Sequence, residues 1–128
     1  MPFGDVVWVN LPPPNGHEQA GPRPAILVQS EADDARLNTR VVLPMTTNPN
    51  AVAYPGTVPV RATVENGLRE DSTILIAAIV AIDKRKMGGA QGRLDDATIG
   101  AVKARLRAFL GLGEPSLWQR LRDFVRVT

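Results

Sequence analysis

The sequence predicts a mainly β fold, a small antiparallel barrel or curled sheet with helices on one side. Three observations carry this expectation. Five short runs rich in β-branched residues occupy the first two thirds of the 128-residue chain. Clusters of Pro, Gly, Asn and Asp punctuate the gaps between them. After Asp83 the apolar spacing changes from alternating to helical.

The elements follow in order. "GDVVWVN" (4–10) reads as a strand, bounded by Gly4 and a proline run. "PPPNGHEQAGPRP" (12–24) is a long loop holding the chain's one histidine. "PAILVQS" (24–30) is a second strand with Pro24 at its first position, where a missing amide is tolerated. "EADDARLN" reads as a polar connector. "RVVLPMT" (40–46) is a third strand, in which Pro44 suggests a bulge or an edge. "TNPNAVAYPG" (47–56) is a second long loop, and "TVPVRAT" (57–63) is an edge strand by its Pro59. Asn66-Gly67 marks a turn. "STILIAAIVAI" (72–82) is the long central strand. Asp95 caps a helix that runs to about Leu110, with Gly111 as its stop and Ile99, Val102, Leu106 and Phe109 as its buried stripe. Leu117, Leu121 and Phe124 or Val125 repeat the pattern in a short amphipathic tail. The expected organisation is a domain over 1–112 and an extension over 113–128, with Trp8 and Trp118 as core or interface anchors.

Composition narrows the chemistry. There is no cysteine and a single histidine, so disulfides and the usual sulfur and nitrogen metal-ligand sets are excluded. No phosphate-cradling glycine loop and no nucleophile-elbow serine occurs, and no cofactor or metal is expected. No secretory signal is visible at "MPFGDVV". The longest apolar run, Ile74–Ile82, has nine residues, far short of the roughly 20 a membrane helix needs. A cytoplasmic location without membrane contact is the expectation. Net charge is +2, yet the segment Lys84–Arg107 holds seven basic residues against two acids. A face so charged attracts nucleic acid or an acidic protein segment, unless it is simply a solvated helix face. The long loop gathers His17, Glu18, Gln19 and Arg23, a set of acid–base groups and a cation suited to phosphoryl transfer.

"GDVVWVN" followed by "GHEQAGPRPAILVQ" resembles the opening signature of the MazF/PemK family of toxin endoribonucleases. The similarity continues through "VVLPMTTN", "GLREDSTIL" and "AIDKRKMGGAQGRLDD" to the "LGL" that ends the helix, about residues 3–112. The resemblance implies an SH3-like or CcdB-like barrel with helices, acting as a homodimer. It implies metal-independent cleavage of single-stranded RNA. It also implies neutralisation by a cognate antitoxin whose acidic, disordered C-terminal segment lies across the RNA groove. Carried over, Arg23 matches the catalytic arginine, Thr46 the catalytic threonine and Glu18 a glutamate implicated in some members. His17 stands at a variable position, so Glu18 and His17 both remain open as the base. Gln19, Thr47, Asn48, Lys84 and Arg85 are the expected RNA-binding residues.

The sequence departs from the family around its last core strand. Where relatives show an acid and then Gln-Ile-Arg, this chain has Ala77, Ala78, Ile79 and Val80. A second functional class therefore stands beside the ribonuclease: a non-nuclease binder on the same barrel, either a gyrase-poison-like toxin or a catalytically silent relative.

Overall fold

The structure, a computed structural model, describes residues 1–12 and 21–113. Its strands are β1 (Asp5–Leu11), β2 (Gly21–Leu27), β3 (Thr39–Thr46), β4 (Thr57–Val60), β5 (Ser72–Leu75), β6 (Val80–Asp83) and β7 (Met87–Arg93), with helices α1 (Glu31–Arg36) and α2 (Asp96–Phe109). Short 3-10 turns span Pro49–Ala53, Ile76–Ala78 and Lys84–Lys86. The strands form one antiparallel sheet in the order β4-β5-β3-β2-β1-β7, with β6 paired to β3. β4 and β7 end the path, so the sheet is curled rather than closed by hydrogen bonds.

Alternation along β1, β2 and β3 feeds two apolar cores, one on each face. Val6, Ile26, Leu43 and Met45 join Val58, Val60 and Ile74 in the first, which α2 covers with Ile99, Val102 and Leu106. Val7, Val9, Leu11, Ala25, Leu27, Val42 and Ile82 form the second, with Met1, Val80 and Met87 packed against it. Each fully buried aliphatic side chain contributes about 1.5–3 kcal/mol. The docking of α2 therefore outweighs the roughly 1 kcal/mol that Gly100 costs its interior. The helix has the expected ends: the Asp95 carboxylate accepts from the Thr98 amide at 2.7 Å, and Gly111 leaves the last turn at φ +71°. Phe109 departs from the expected stripe and is half exposed, because it lies beyond the part of α2 that meets the sheet.

Five strands were expected and seven form. The long run at 72–82 breaks at Ile76–Ala78, so β5 pairs with β3 and β4 while β6 pairs with β3 alone. β7, "MGGAQGR", has no apolar alternation to announce it. Its pairing with β1 holds it in place. The connector at 31–36 is a helix, started by Ser30, whose hydroxyl accepts from the Asp33 amide at 3.2 Å. β2 begins three residues earlier than expected, so Arg23 lies in a strand and Pro24 opposite Trp8. The β2–β3 ladder stops at Ala25↔Pro44, where Pro24 and Pro22 have no amide to offer. Pro44 is no edge residue. It is buried between the stretch of β3 that pairs with β6 and the stretch that pairs with β5. Pro59 does mark an edge strand, since β4 pairs only with β5. Trp8 is 44% exposed and is not a core anchor; Trp118 and the rest of the 114–128 tail lie outside the described residues.

A buried carboxylate ties the α1 side of the sheet together. Asp34 receives Arg40 through Nε and Nη2 and the terminal ammonium at 2.9 Å, while Lys84 Nζ donates to its backbone carbonyl. The Arg40 guanidinium, helped by that ammonium, holds the Asp34 carboxyl well below the usual carboxylate range.

Two expectations about stability follow. A Cβ at Gly92 would lie 2.4 Å from the Asn66 carbonyl carbon and 2.5 Å from the Glu65 oxygen, both backbone. Gly92→Ala should therefore lower stability by about 1–3 kcal/mol in a denaturant titration. Gly89→Ala, with no atom within 4 Å, should stay within about 0.5 kcal/mol of the parent. The depressed Asp34 pKa means that only the unfolded chain takes up this proton just below pH 4. Its stabilisation is complete above that range and is lost as the pH falls towards the folded value. Between pH 6 and pH 3 the parent's Tm should drop more steeply than that of Asp34→Asn; parallel curves would remove Asp34 as the cause.

Candidate active site

The β1–β2–β3 strip brings together two of the residues singled out by sequence. Arg23 pairs across β1 with Val9. The register that sets Ala25 against Pro44, carried two residues further, brings Arg23 opposite Thr46. Its Nη1 donates to the Met45 carbonyl at 3.4 Å. Arg23 shares its face of the sheet with Ala25 and, across β1, with Val9, both fully buried, and its guanidinium reaches the residue just before Thr46. Charge interactions above such an apolar floor are screened less than in open water.

Thr46 ends β3 half buried. Its Oγ1 accepts from the Asn48 amide at 3.2 Å, which leaves the hydroxyl proton available to a substrate oxygen. Asn48 in turn caps the Pro49–Ala53 turn, its Oδ1 accepting from the Asn50 amide at 3.0 Å. Thr47 and Asn48 are both exposed beside Thr46. On the other edge of β3, Thr46 pairs with Thr73 of β5, and Thr73 pairs with Pro59. Sequence reasoning missed Thr73. Only the register of β5 brings this second, 4% exposed threonine alongside Thr46.

The basic residues expected to contact RNA have protein partners. Lys84 reaches Asp34, and Arg85 grips Asp83 with Nε and Nη2, each at 3.0 Å. That pair draws the Asp83 carboxyl down to about 2 and raises the Arg85 pKa. Arg93 Nη1 donates to the Phe3 carbonyl at 2.7 Å and to Asp5 at 3.2 Å, and Lys103 Nζ sits 5.1 Å from the Phe3 ring centre. Arg93 and Lys103 thus tie the later part of the domain to its first strand, while the Arg85 side chain remains 89% exposed. His17, Glu18 and Gln19 lie outside the described residues. Among the described residues no three His, Cys, Asp or Glu side chains gather to hold a metal ion. The arrangement is a cation held at the residue before a half-buried threonine hydroxyl, above an apolar floor, which suits a phosphate oxygen.

Comparison with known proteins identifies the family and the fold. The chain is 32% identical over 109 residues to the endoribonuclease MazF6 of Mycobacterium tuberculosis, covering 84% of this chain and 95% of the relative. It is 31% identical over 109 residues to the endoribonuclease EndoA of Bacillus subtilis, covering 85% and 93%. Among solved structures, MazF from Deinococcus radiodurans superposes with a TM-score of 0.74 at 24% identity, over 87% of this chain and 96% of that one. An endoribonuclease bound to its cognate antitoxin, from a mycobacterial species, does so at 0.69 and 20% identity, over 90% and 99%. These two establish a shared fold. The family model for PemK-like, MazF-like toxins of type II toxin-antitoxin systems matches residues 3–110, and the chain belongs to that family.

Proposed function

We propose that this protein is the toxin of a type II toxin–antitoxin pair, an endoribonuclease that cuts single-stranded RNA without a metal. The observation that carries the reading is the placing of Arg23 beside Thr46 on adjacent strands of a family scaffold. RNA carries a 2′-hydroxyl next to every scissile phosphate, so the nucleophile comes with the substrate. A base removes the 2′-OH proton, the oxygen attacks phosphorus, and the 5′-oxygen leaves and takes up a proton. The products are a 2′,3′-cyclic phosphate and a 5′-OH end. Arg23 holds the non-bridging oxygens as negative charge builds on them, a role its always-charged, planar fork fits. Thr46 donates its hydroxyl to the same phosphate. Glu18 and His17 are the candidate bases; an imidazole with a pKa near 6.5 needs little adjustment for that work. Gln19, Thr47, Asn48, Lys84 and Arg85 complete the RNA contacts in this reading.

The same proposal extends to assembly and place. The toxin domain covers 1–112 and acts as a homodimer in the cytoplasm, with 113–128 an extension to it. Its partner is an antitoxin with an acidic, disordered C-terminal segment. Among the described residues no helix is long and apolar enough to cross a membrane. The non-nuclease alternative rests on Ala77–Val80, where the side chains are apolar; Ile79 and Val80 pack against the two cores.

The test is cleavage of a long unstructured RNA in EDTA, followed by mapping of the 5′ ends. The parent should cut at a recurring short sequence and leave 5′-OH ends. Arg23→Ala should lose at least about a hundredfold in kcat/KM, the scale of one lost charge-stabilising donor, with unchanged folding by circular dichroism. An Arg23→Ala protein as active as the parent would sink the mechanism, and a folded parent that cuts nothing would favour the non-nuclease binder. Thr46 is probed separately. Thr46→Ser keeps the hydroxyl and should retain most activity, whereas Thr46→Val should reduce kcat about ten- to a hundredfold. Equal activity of the two would confine Thr46 to its hydrogen bond with Asn48.

A further inference from the structure

The segment 47–56 leaves the sheet at Thr46 and rejoins it at Thr57. It packs against β4 and β5 on the way. β4 lies two strands from β3, so its return point is roughly 10 Å from Thr46 across the sheet. A nucleotide flanking a phosphate held at Arg23 and Thr46 would come within reach of it. The segment carries no charged residue, so whatever it contacts is held by apolar or hydrogen-bonding groups.

Its backbone is fixed at several points. Asn48 caps the turn, and the Ala51 amide donates to the Asn48 carbonyl at 3.1 Å. Ala51 is buried. The Tyr54 amide donates to the Ala51 carbonyl at 3.1 Å, and the Tyr54 carbonyl accepts from Thr57 Oγ1 at 3.1 Å. Pro49 and Pro55 stiffen both sides. The Tyr54 backbone is thus bonded through both its N–H and its C=O, yet its side chain is left in solvent, 67% exposed; Val52, on the same turn, is 58% exposed. A large aromatic held out on a fixed backbone, in the segment that leaves the sheet at Thr46, matches how single strands are bound. A charge tracks the backbone and rings stack the bases.

We propose that Tyr54, with Val52 two residues before it, forms a nucleobase subsite that stacks a base flanking the scissile phosphate. The inference rests on the endoribonuclease reading above. The mapped cleavage sequence supplies the probe: a short RNA oligonucleotide carrying it, with a 2′-deoxy sugar at the attacked position and 2-aminopurine at a flanking base. The parent should bind it and quench the 2-aminopurine. Tyr54→Phe should match the parent within about twofold, while Tyr54→Ala should bind about tenfold more weakly and lose the quenching. In turnover on the cleavable oligonucleotide, Tyr54→Ala should raise KM and leave kcat within about twofold. Tyr54→Ala binding as tightly as the parent overturns the subsite while leaving the nuclease reading intact, and so does Tyr54→Phe failing together with Tyr54→Ala. Unchanged RNA affinity with a changed dimer mass or antitoxin-peptide affinity assigns Tyr54 to a protein contact and also overturns it. A parent that neither cuts nor binds the RNA removes the subsite and the nuclease reading together.

Discussion

Everything at the candidate site depends on the β1–β2–β3 strip being buried on both faces. Val6, Ile26 and Leu43 point one way, and Val7, Val9, Ala25, Leu27 and Val42 point the other. Most half-exposed sheets can tolerate a polar face, but here a one-residue slip would exchange the contents of two packed cores at once. The register is therefore fixed by many aliphatic contacts worth on the order of 1.5–3 kcal/mol each. Arg23 and Thr46 sit where that strip runs out of apolar residues. Their juxtaposition is a by-product of core packing, so it needs no flexible loop to assemble it.

The prolines shape the same end of the sheet by subtraction. Pro22 and Pro24 still pair across β1, but the ladder towards β3 ends at Ala25. Beyond that point the ladder stops, and the guanidinium of Arg23 bridges to the Met45 carbonyl. Pro44 performs a related task on β3, standing where the strand changes partner from β6 to β5. An amide missing at these positions is what lets side chains, rather than backbone, occupy the mouth between β2 and β3.

Sequence alone carried the parts in which side-chain pattern and backbone state agree. β1 and β3 have β-branched runs, α2 has a cap, a stripe and a terminal glycine, and all three form close to their expected bounds; β4 starts at Thr57 as expected but ends at Val60, short of the expected 57–63. β7 could not be read because "MGGAQGR" has no pattern of its own; its strand state comes from β1. α1 is too short for periodicity to register, although Ser30 was there as a cap. The break in the run 72–82 is a tertiary effect: both halves pair with β3, but the register shifts between Met45↔Ile74 and Val42↔Val80, and the 3-10 turn at Ile76–Ala78 takes up the extra residues. At the site, Arg23 and Thr46 were found through a motif. Thr73 was not, since a cross-strand neighbour is visible only once the register of β5 is known. Lys84 and Arg85 illustrate the converse. A basic run suggests a nucleic-acid face, yet only folding shows that their charges face Asp34 and Asp83.

The same logic explains why the apolar stretch at Ala77–Val80 need not remove catalysis. Ile79 packs against the core under α2, and Val80 against the core that also holds Val9 and Ala25. These positions lie in or just after the 3-10 break, on the β5–β6 side of β3, whereas Arg23 approaches Thr46 from the β2 side. Apolar groups there add to the packing of the two cores and leave Arg23 and Thr46 themselves unchanged. At these positions the chain offers no polar side chain for contacts to neighbouring nucleotides. In a single-strand nuclease such contacts set where the chain is cut more than whether the bond breaks, because charge stabilisation and base selection come from different groups. The burden of selection then shifts to the uncharged, well-anchored segment that follows Thr46.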